Sequence, residues 1–404
     1  MTKMAFNVHT AEFHQDPHSV LNEFREKDPI HFFELKRFGA THRAWLITRY
    51  DDCLAFLKDN RITRDIKNVM SEEQVALINS SEDVAFVSNH MLAKDAPDHT
   101  RLRSLVQQAF TPAMVVQMTP RIEEIAEGLL NEMEKQDEVD IMSSYASPLP
   151  YIVLAEIIGI PEKDREQFHQ WTSAIVDTSE SNHEVTNRNL REFKSYLAGL
   201  IQEKRTHPQN DMISRLISVE ENGDKLTEEE LYSMLFILLV AGLETTVNLI
   251  GSGVLALLQN REQMELLKNQ PALIDTAVEE LLRYTTPVIL MANRWVTTDF
   301  TYRDHQILRG DMIFIGIGAA NRDPAQFENP ERMDVTRTRN QHLSFGLGSH
   351  FCLGAPLARL EAQIAFRALL NRFPNINLHQ ESGEIHWRKN AFLRGLERLP
   401  VSLS

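Results

Sequence analysis

Cysteine and positive charge are both scarce in this sequence of 404 residues. The 2 cysteines, Cys53 and Cys352, are too few for a disulfide framework and lack the paired spacing of a structural zinc site. Lys and Arg number 42 against 57 Asp and Glu, which gives a net charge of −15. Because nonspecific nucleic-acid binding requires clustered cations, this balance without a long basic run excludes nucleic acid as an expected partner.

Long apolar runs are also missing. No uninterrupted apolar stretch reaches the roughly 18 residues of a membrane-spanning helix, and the polar N-terminus lacks the apolar core of a signal peptide. We therefore expect a cytoplasmic protein without a membrane anchor. Neither a repeat nor a low-complexity linker divides the chain, so residues 1–404 are predicted to form a single domain.

Amphipathic helices separated by short polar turns dominate the sequence, and the predicted fold class is therefore mainly α. Segments with the residue content of strands are few, and they predict small β-sheets beside a large helical body. These segments are residues 45–50, 294–302, 312–317 and a C-terminal hairpin at 392–403.

The most apolar helix is predicted for residues 231–260, where Glu244 is the only charged side chain. Thr227 and Glu230 have capping-box spacing just before it. A helix that is apolar on nearly all sides belongs in a protein core, which is the simplest interpretation of this segment. A buried carboxylate is costly unless it is paired or protonated, so Glu244, followed by the Thr245 hydroxyl, predicts a role in proton handling.

A glycine-rich loop at residues 345–354 surrounds the second cysteine. Its glycines permit unusual backbone angles, and Pro356 suits the first turn of a following helix. Cys352 therefore lies just before a helix N-terminus, where the helix dipole and free N–H groups stabilise a thiolate. A thiolate is the form required of either a metal ligand or a nucleophile. Cys53 lacks this context and is predicted to be a packed thiol.

The loop resembles the haem-binding signature of the cytochrome P-450 superfamily, Phe-x-x-Gly-x-His/Arg-x-Cys-x-Gly, with every position filled. The resemblance implies the P-450 fold, with haem b between the long central helix and the cysteine loop. It also implies that Cys352 is the axial iron ligand and that His350 reaches a haem propionate. Further cofactor-binding residues implied by the match are Ala241, Phe345, Gly346 and Gly354.

Three more motifs extend the resemblance along the chain. Glu244 and Thr245 match the acid-alcohol pair of the oxygen-binding helix and are the implied catalytic residues. Glu280 and Arg283 match a structural Glu-x-x-Arg motif, which the family pairs with a downstream arginine, here Arg337 or Arg332. The remaining matches imply propionate-binding side chains at His99, Arg103 and Arg294.

The resemblance therefore implies a haem-thiolate monooxygenase of the soluble bacterial type. Over its length the chain is most similar to polyketide-tailoring members, among them the bacillaene-pathway member. The implied reaction is hydroxylation or desaturation of an apolar secondary metabolite, a linear polyene polyketide that is free or carrier-bound. Oxygen and two electrons from NAD(P)H are required, delivered by a ferredoxin or flavodoxin with its reductase. Arginines 359, 367 and 372 are the expected docking cations.

Segments that line the substrate pocket in similar proteins correspond here to residues 68–91, 178–185, 238–241, 288–291 and 392–393. They are largely apolar, which predicts a sizeable apolar ligand. The implied contacts are Met91, Leu238, Ala241, Ile289, Met291 and Phe392. Two other functions use the same loop: a peroxide-driven haem-thiolate peroxygenase, against which the Glu244–Thr245 pair argues, and a non-enzymatic haem sensor or carrier.

Overall fold

The computed structural model describes residues 4–37, 40–78, 86–136, 138–176, 183–219, 223–379 and 383–403. Two of the expected substrate segments, 68–91 and 178–185, fall partly outside these ranges. Helix is the dominant secondary structure, at 57% of the chain, and this confirms the mainly α prediction.

The helices lie along the whole chain. They are α1 (Ala11–Gln15), α2 (Pro17–Lys27), α3 (Tyr50–Lys58), α4 (Glu72–Ile78), α5 (Asp98–Ala109), α6 (Pro112–Gln117), α7 (Thr119–Met133), α8 (Pro148–Ile158), α9 (Arg165–Val176), α10 (His183–Thr206), α11 (Met212–Ser218), α12 (Glu228–Gln259), α13 (Arg261–Asn269), α14 (Ile274–Thr285), α15 (Ile317–Ala320) and α16 (Ala355–Arg372).

The strands are short apart from the first two. They are β1 (Ile30–Arg37), β2 (Ala40–Ile47), β3 (Ile62–Thr63), β4 (Val139–Asp140), β5 (Trp295–Val296), β6 (Phe300–Tyr302), β7 (His305–Ile307), β8 (Met312–Ile315), β9 (Asn377–Leu378) and β10 (Pro400–Ser402). They form a five-stranded sheet in the order β1-β2-β8-β5-β3, a three-stranded sheet β4-β10-β9 and a two-stranded sheet β6-β7.

Contacts group the chain into two units. The first combines Met1–Ile62, Thr119–Leu149 and Thr245–Ser404, and the second combines Thr63–Met118 and Pro150–Glu244. Most strands and the cysteine loop belong to the first unit, whereas the second is built from helices. The single domain at 1–404 stays a prediction.

The largest sheet carries an apolar core in the first unit. Strands β1 and β2 pair antiparallel with Phe32 opposite Trp45, and β2 runs parallel to β8 with Trp45 opposite Ile313. Cys53 lies in this core, fully buried, and its thiol donates to the Ile47 carbonyl oxygen at 3.3 Å. Burial raises the pKa of the Cys53 thiol well above its usual value, as expected for a packed cysteine.

The central helix agrees closely with the sequence. The Thr227 hydroxyl accepts from the Glu230 backbone N–H at 3.2 Å, and the Glu230 carboxylate accepts from the Thr227 backbone N–H at 2.8 Å. Both halves of the capping box are therefore present, and the helix runs without interruption from Glu228 to Gln259. This is also a helix long and apolar enough to cross a membrane, but 61% of its most apolar window is buried, as in a core helix of a soluble protein.

The C-terminal hairpin predicted at 392–403 is wrong. In the described part of this segment only Pro400–Ser402 forms a strand, and it pairs with β4 and β9, which are distant in sequence. The segment predicted at 294–302 forms two short strands, β5 and β6. In the segment predicted at 312–317, strand β8 ends at Ile315 and α15 begins at Ile317. Local residue content marks extended backbone but does not encode its partner.

Candidate functional site

The cysteine loop is closed by its own backbone. Gly346 and Gly348 have φ angles of +68° and +73°, in the left-handed region that favours glycine. The Cys352 N–H then donates to the Phe345 carbonyl oxygen at 2.9 Å. Helix α16 begins directly afterwards at Ala355, so the exposed Cys352 thiol lies beside a helix N-terminus. This is the environment that the sequence predicts for a thiolate.

Arg359 adds positive charge to this environment. Its guanidinium lies over the Phe345 ring, with Cζ 4.5 Å from the centroid. It donates to both carboxylate oxygens of Glu279, at 2.6 and 2.8 Å. These hydrogen bonds raise the pKa of Arg359, and the negative charge of the Cys352 thiolate raises it further. Arg359 therefore stabilises a thiolate at Cys352 while it is fixed by Glu279.

This pairing bears on the expected docking cations. Arg359 forms an ion pair with Glu279, and Arg372 donates to Glu127 and Glu134 at 3.2 Å each. Salt bridges within the protein thus engage two of the three arginines, and their part in docking a redox partner stays a prediction. Arg367 remains exposed on α16.

The Glu-x-x-Arg pair lies fully buried on α14. Glu280 accepts from Arg283 at 2.7 and 2.8 Å, and both side chains are 0% exposed. Of the two downstream arginines, Arg337 donates to Glu280 at 3.0 Å, whereas Arg332 contributes only its carbonyl oxygen, to Arg283 at 3.3 Å. The third member of the network is therefore Arg337.

A two-stranded contact brings residues 287–291 beside residues 392–394. The Ile289 N–H donates to the Phe392 carbonyl oxygen at 2.8 Å, and Met291 pairs with Ile315. Met291 and Phe392 are partly exposed. Ile289 is instead 1% exposed, and a Cβ built on Gly318 would lie 2.3 Å from its Cδ1. Ile289 therefore packs closely against α15, and its role as a substrate contact stays a prediction.

Arg294 and His350 lie in the same unit as the cysteine loop. Arg294 is 6% exposed and donates to the Ala292 carbonyl oxygen at 3.3 Å. His350 ends a short 3-10 helix at Gly348–His350, two residues before Cys352. An ideal Cβ at Gly354 would lie 4.0 Å from the Cys352 sulfur, so this glycine lies directly beside the thiol.

Protein side chains leave the centre of α12 uncovered. Ala241 is exposed and residues 242–245 are partly exposed, although the helix is largely buried on both sides of them. Leu238, one turn earlier, is also partly exposed. Among the protein's own atoms Glu244 is partly exposed rather than fully buried. Glu244 and Thr245 adjoin on the uncovered stretch, as the acid-alcohol match requires.

The predicted propionate pair lies on α5 in the helical unit. His99 is 3% exposed, and its backbone N–H donates to the Asp95 carbonyl oxygen at 2.8 Å. Burial lowers the pKa of His99, and the positive charges of Arg103 and Arg64 lower it further, which places these cations near the imidazole. Met91, 8% exposed, opens the 3-10 turn at Met91–Ala93 before this helix.

Sequence reasoning missed two buried polar features of the first unit. Glu361, the only acid on α16, is 2% exposed, and burial raises its pKa well above the usual value. Asn248 and Ser252, one turn apart on α12, have buried side-chain polar atoms without a hydrogen-bond partner among the described residues. A lone acid inside an apolar helix was a signal available for Glu361.

Comparison with known proteins identifies the class. The sequence profile of the family described as Cytochrome P450 matches residues 140–395, and the chain belongs to this family. It is a monooxygenase of that family, and neither the peroxygenase nor the sensor alternative is favoured.

The chain is 66% identical over 404 residues to the polyketide biosynthesis cytochrome P-450 PksS of Bacillus subtilis (strain 168), with 100% of both chains covered. The solved structure of PksS, from the bacillaene polyketide synthase, is similar with a TM-score of 0.93 and 64% identity over 99% of this chain and 100% of that one. P450BioI, in complex with a hexadec-9Z-enoic acid ligated acyl carrier protein, matches with a TM-score of 0.87 and 39% identity over 98% and 99%.

The family uses haem b and electrons from NAD(P)H through redox partners. The residues present suit this cofactor. Among the described residues no group of three or more His, Cys, Asp or Glu side chains is placed to hold a metal ion, so the exposed thiol of Cys352 is the candidate for a single protein ligand. The uncovered stretch of α12 offers a surface for a flat macrocycle, and cations suited to carboxylates occur in both units.

Proposed function

We propose that this enzyme hydroxylates or desaturates a linear polyene polyketide of the bacillaene type. The observation that carries the substrate class is the 66% identity over the whole chain to a polyketide biosynthesis enzyme. The candidate lining side chains are consistent with an apolar ligand. They are Met91, Leu238, Ala241, Ile289, Met291 and Phe392.

In this proposal the Cys352 thiolate would hold the haem iron, and the Arg359 guanidinium would stabilise the negative charge of that thiolate. Haem b, when bound, supplies the iron at which dioxygen is activated. Thr245 holds a proton on its hydroxyl at the oxygen-binding side, and Glu244 moves protons from solvent towards Thr245.

Four side chains are assigned to the haem propionates: His99, Arg103, Arg294 and His350. Charge-assisted hydrogen bonds from guanidinium groups to carboxylates are among the stronger ones in proteins, which favours arginine in this role. Phe345, Gly346 and Gly354 shape the loop that presents the thiolate.

The external partners follow from the same relatives. We assign electron delivery to a ferredoxin or flavodoxin with its reductase, and we place the enzyme in the cytoplasm. The acyl carrier protein bound to P450BioI supports a carrier-bound substrate for this chain as well.

A spectral titration with linear polyene polyketide amides, free and attached to an acyl carrier protein, tests the substrate class. Substrate binding beside the haem should shift its absorption, and turnover with a surrogate redox pair should give a product that has gained one oxygen or lost two hydrogens. Apolar fatty acids of similar length are the control ligands. A shift and product with fatty acids, and neither with the polyenes, would contradict the proposal.

A further inference from the structure

Basic side chains gather around His99 in the helical unit. Arg64 follows β3, and His90 directly precedes the 3-10 turn at Met91–Ala93. The charge of Arg64 lowers the pKa of both His90 and His99, which places all three groups within electrostatic range of one another. Neither Arg64 nor His90 belongs to a motif that the sequence analysis identified.

The Arg64 guanidinium makes only weak hydrogen bonds among the described residues. Within the described residues, its one side-chain hydrogen bond runs to the Leu92 carbonyl oxygen at 3.4 Å, beyond the usual N–H···O range. Burial lowers the pKa of Arg64 to about 10, and the charge of Asp95 only partly opposes this effect. Arg64 is partly exposed, and a guanidinium without a hydrogen-bonded carboxylate has N–H donors available for an anion.

The nearby carboxylates are engaged elsewhere. Asp95 accepts from the Arg64 backbone N–H and from the Asn68 amide, at 3.1 Å each, and from the Thr63 hydroxyl. It therefore fixes the backbone of this turn and leaves the Arg64 guanidinium without an ion-pair hydrogen bond. Asp65 lies 3.6 Å from the ammonium of Lys94.

His90 presents an unused ring nitrogen in the same region. Its Nδ1 is buried and has no hydrogen-bond partner among the described residues. Burial lowers the pKa of His90 to about 4, and the charges of Arg64 and Lys94 act in the same direction. The imidazole is thus neutral at physiological pH, and its tautomer is free to offer an N–H to an acceptor.

We propose that Arg64 and His90 bind a carboxylate together with His99 and Arg103, and that this carboxylate is a haem propionate. The planar guanidinium supplies a bidentate donor pair and the neutral imidazole a further N–H, so the carboxylate satisfies groups that the protein leaves incomplete. This inference rests on the proposed haem site. A carboxylate of the substrate has the same chemistry, and the experiment separates the two sources.

The test compares Arg64→Gln and His90→Gln with Lys67→Gln, which removes an exposed positive charge three residues from Arg64. Haem transfer from each holoprotein to excess apomyoglobin is followed by absorbance. Loss of one charge-assisted hydrogen bond should accelerate haem loss about tenfold to a hundredfold in Arg64→Gln, and less in His90→Gln. Lys67→Gln should match the wild type, and Arg64→Lys should be intermediate because it keeps the charge but not the planar fork.

Reconstitution with haem dimethyl ester identifies the group that is bound. The ester has no free carboxylate, so Arg64→Gln and wild type should lose it at similar rates. Equal acceleration for haem b and for the ester would mean that Arg64 is merely structural and would overturn the proposal. Unchanged haem loss, with weaker binding of carboxylic-acid ligands in a spectral titration, would assign the site to substrate and overturn it too. The red-shifted band of the reduced carbonyl complex reports Cys352 ligation independently of these outcomes.

Discussion

Replacing Glu280 with glutamine tests whether the buried charge network on α14 is as important as its geometry indicates. Glu280 and Arg283 are both 0% exposed, and Glu280 also accepts from Arg337 at 3.0 Å. The substitution preserves shape but leaves the Arg283 guanidinium without its counter-charge. Breaking a buried ion pair from one side costs about 3–5 kcal/mol. At roughly 2 °C per kcal/mol for a larger domain, the melting temperature should fall by about 6–10 °C.

Thermal unfolding of the haem-loaded protein, followed by far-ultraviolet circular dichroism, measures this effect. Glu265→Gln is the matched control, because Glu265 is half exposed and pairs only at the surface, with Lys268 at 2.8 Å. Surface pairs contribute about 0–1 kcal/mol, so the control should melt close to wild type. The melting temperature of Arg337→Gln should lie between those of Glu280→Gln and the control, because Glu280 still forms its ion pair with Arg283. If Glu280→Gln melted with the control, the network would not carry the stability that we assign to it.

Three other changes have defined outcomes. Relative to wild type, Glu361→Gln should become more stable as pH rises from about 5 to 8. The raised pKa of Glu361 in the folded protein stabilises the wild type below the unfolded pKa of 4.5, and this stability is lost as pH rises towards the folded pKa. A constant difference in melting temperature between the two proteins at all pH values would contradict this. Thr245→Val should still oxidise reduced nicotinamide but release more hydrogen peroxide, so the amount of product formed per cofactor oxidised should fall. A product yield per cofactor equal to that of the wild type would mean that Thr245 is only a packing residue. Thr227→Ala should cost about 0.5–2 kcal/mol through loss of the α12 cap, measured by the same melting assay, whereas no change would show that packing alone starts the helix.

Local chemistry made much of this structure predictable. The capping box and apolar run defined α12, and the glycine-rich loop placed Cys352 before α16, because both signals lie within a few residues of the feature they specify. The choice between Arg337 and Arg332 was different. Both are basic and close in sequence. Only the folded chain brings the side chain of Arg337 to Glu280 and the carbonyl oxygen of Arg332 to Arg283.

Long-range pairing accounts for what the sequence could not reveal. Arg359 and Glu279 are separated by 79 intervening residues, so the ion pair between α16 and α14 could not be predicted from the sequence. Strand β10 finds its partners in β4 and β9, which are too short to show alternation. Arg64 belongs to no motif, and its weak set of partners becomes visible only when the neighbouring carboxylates are seen to bind other groups.

The most direct test of the account is the absorption spectrum of the reduced carbonyl complex of the wild type and of Cys352→His. A thiolate trans to carbon monoxide gives a strongly red-shifted Soret band, and we predict this band in the wild type at one haem per chain. In Cys352→His the band should disappear while the remaining haem absorbs as a histidine-ligated species. A red-shifted band that survives the substitution would mean that another residue holds the iron, and the proposed site would be wrong.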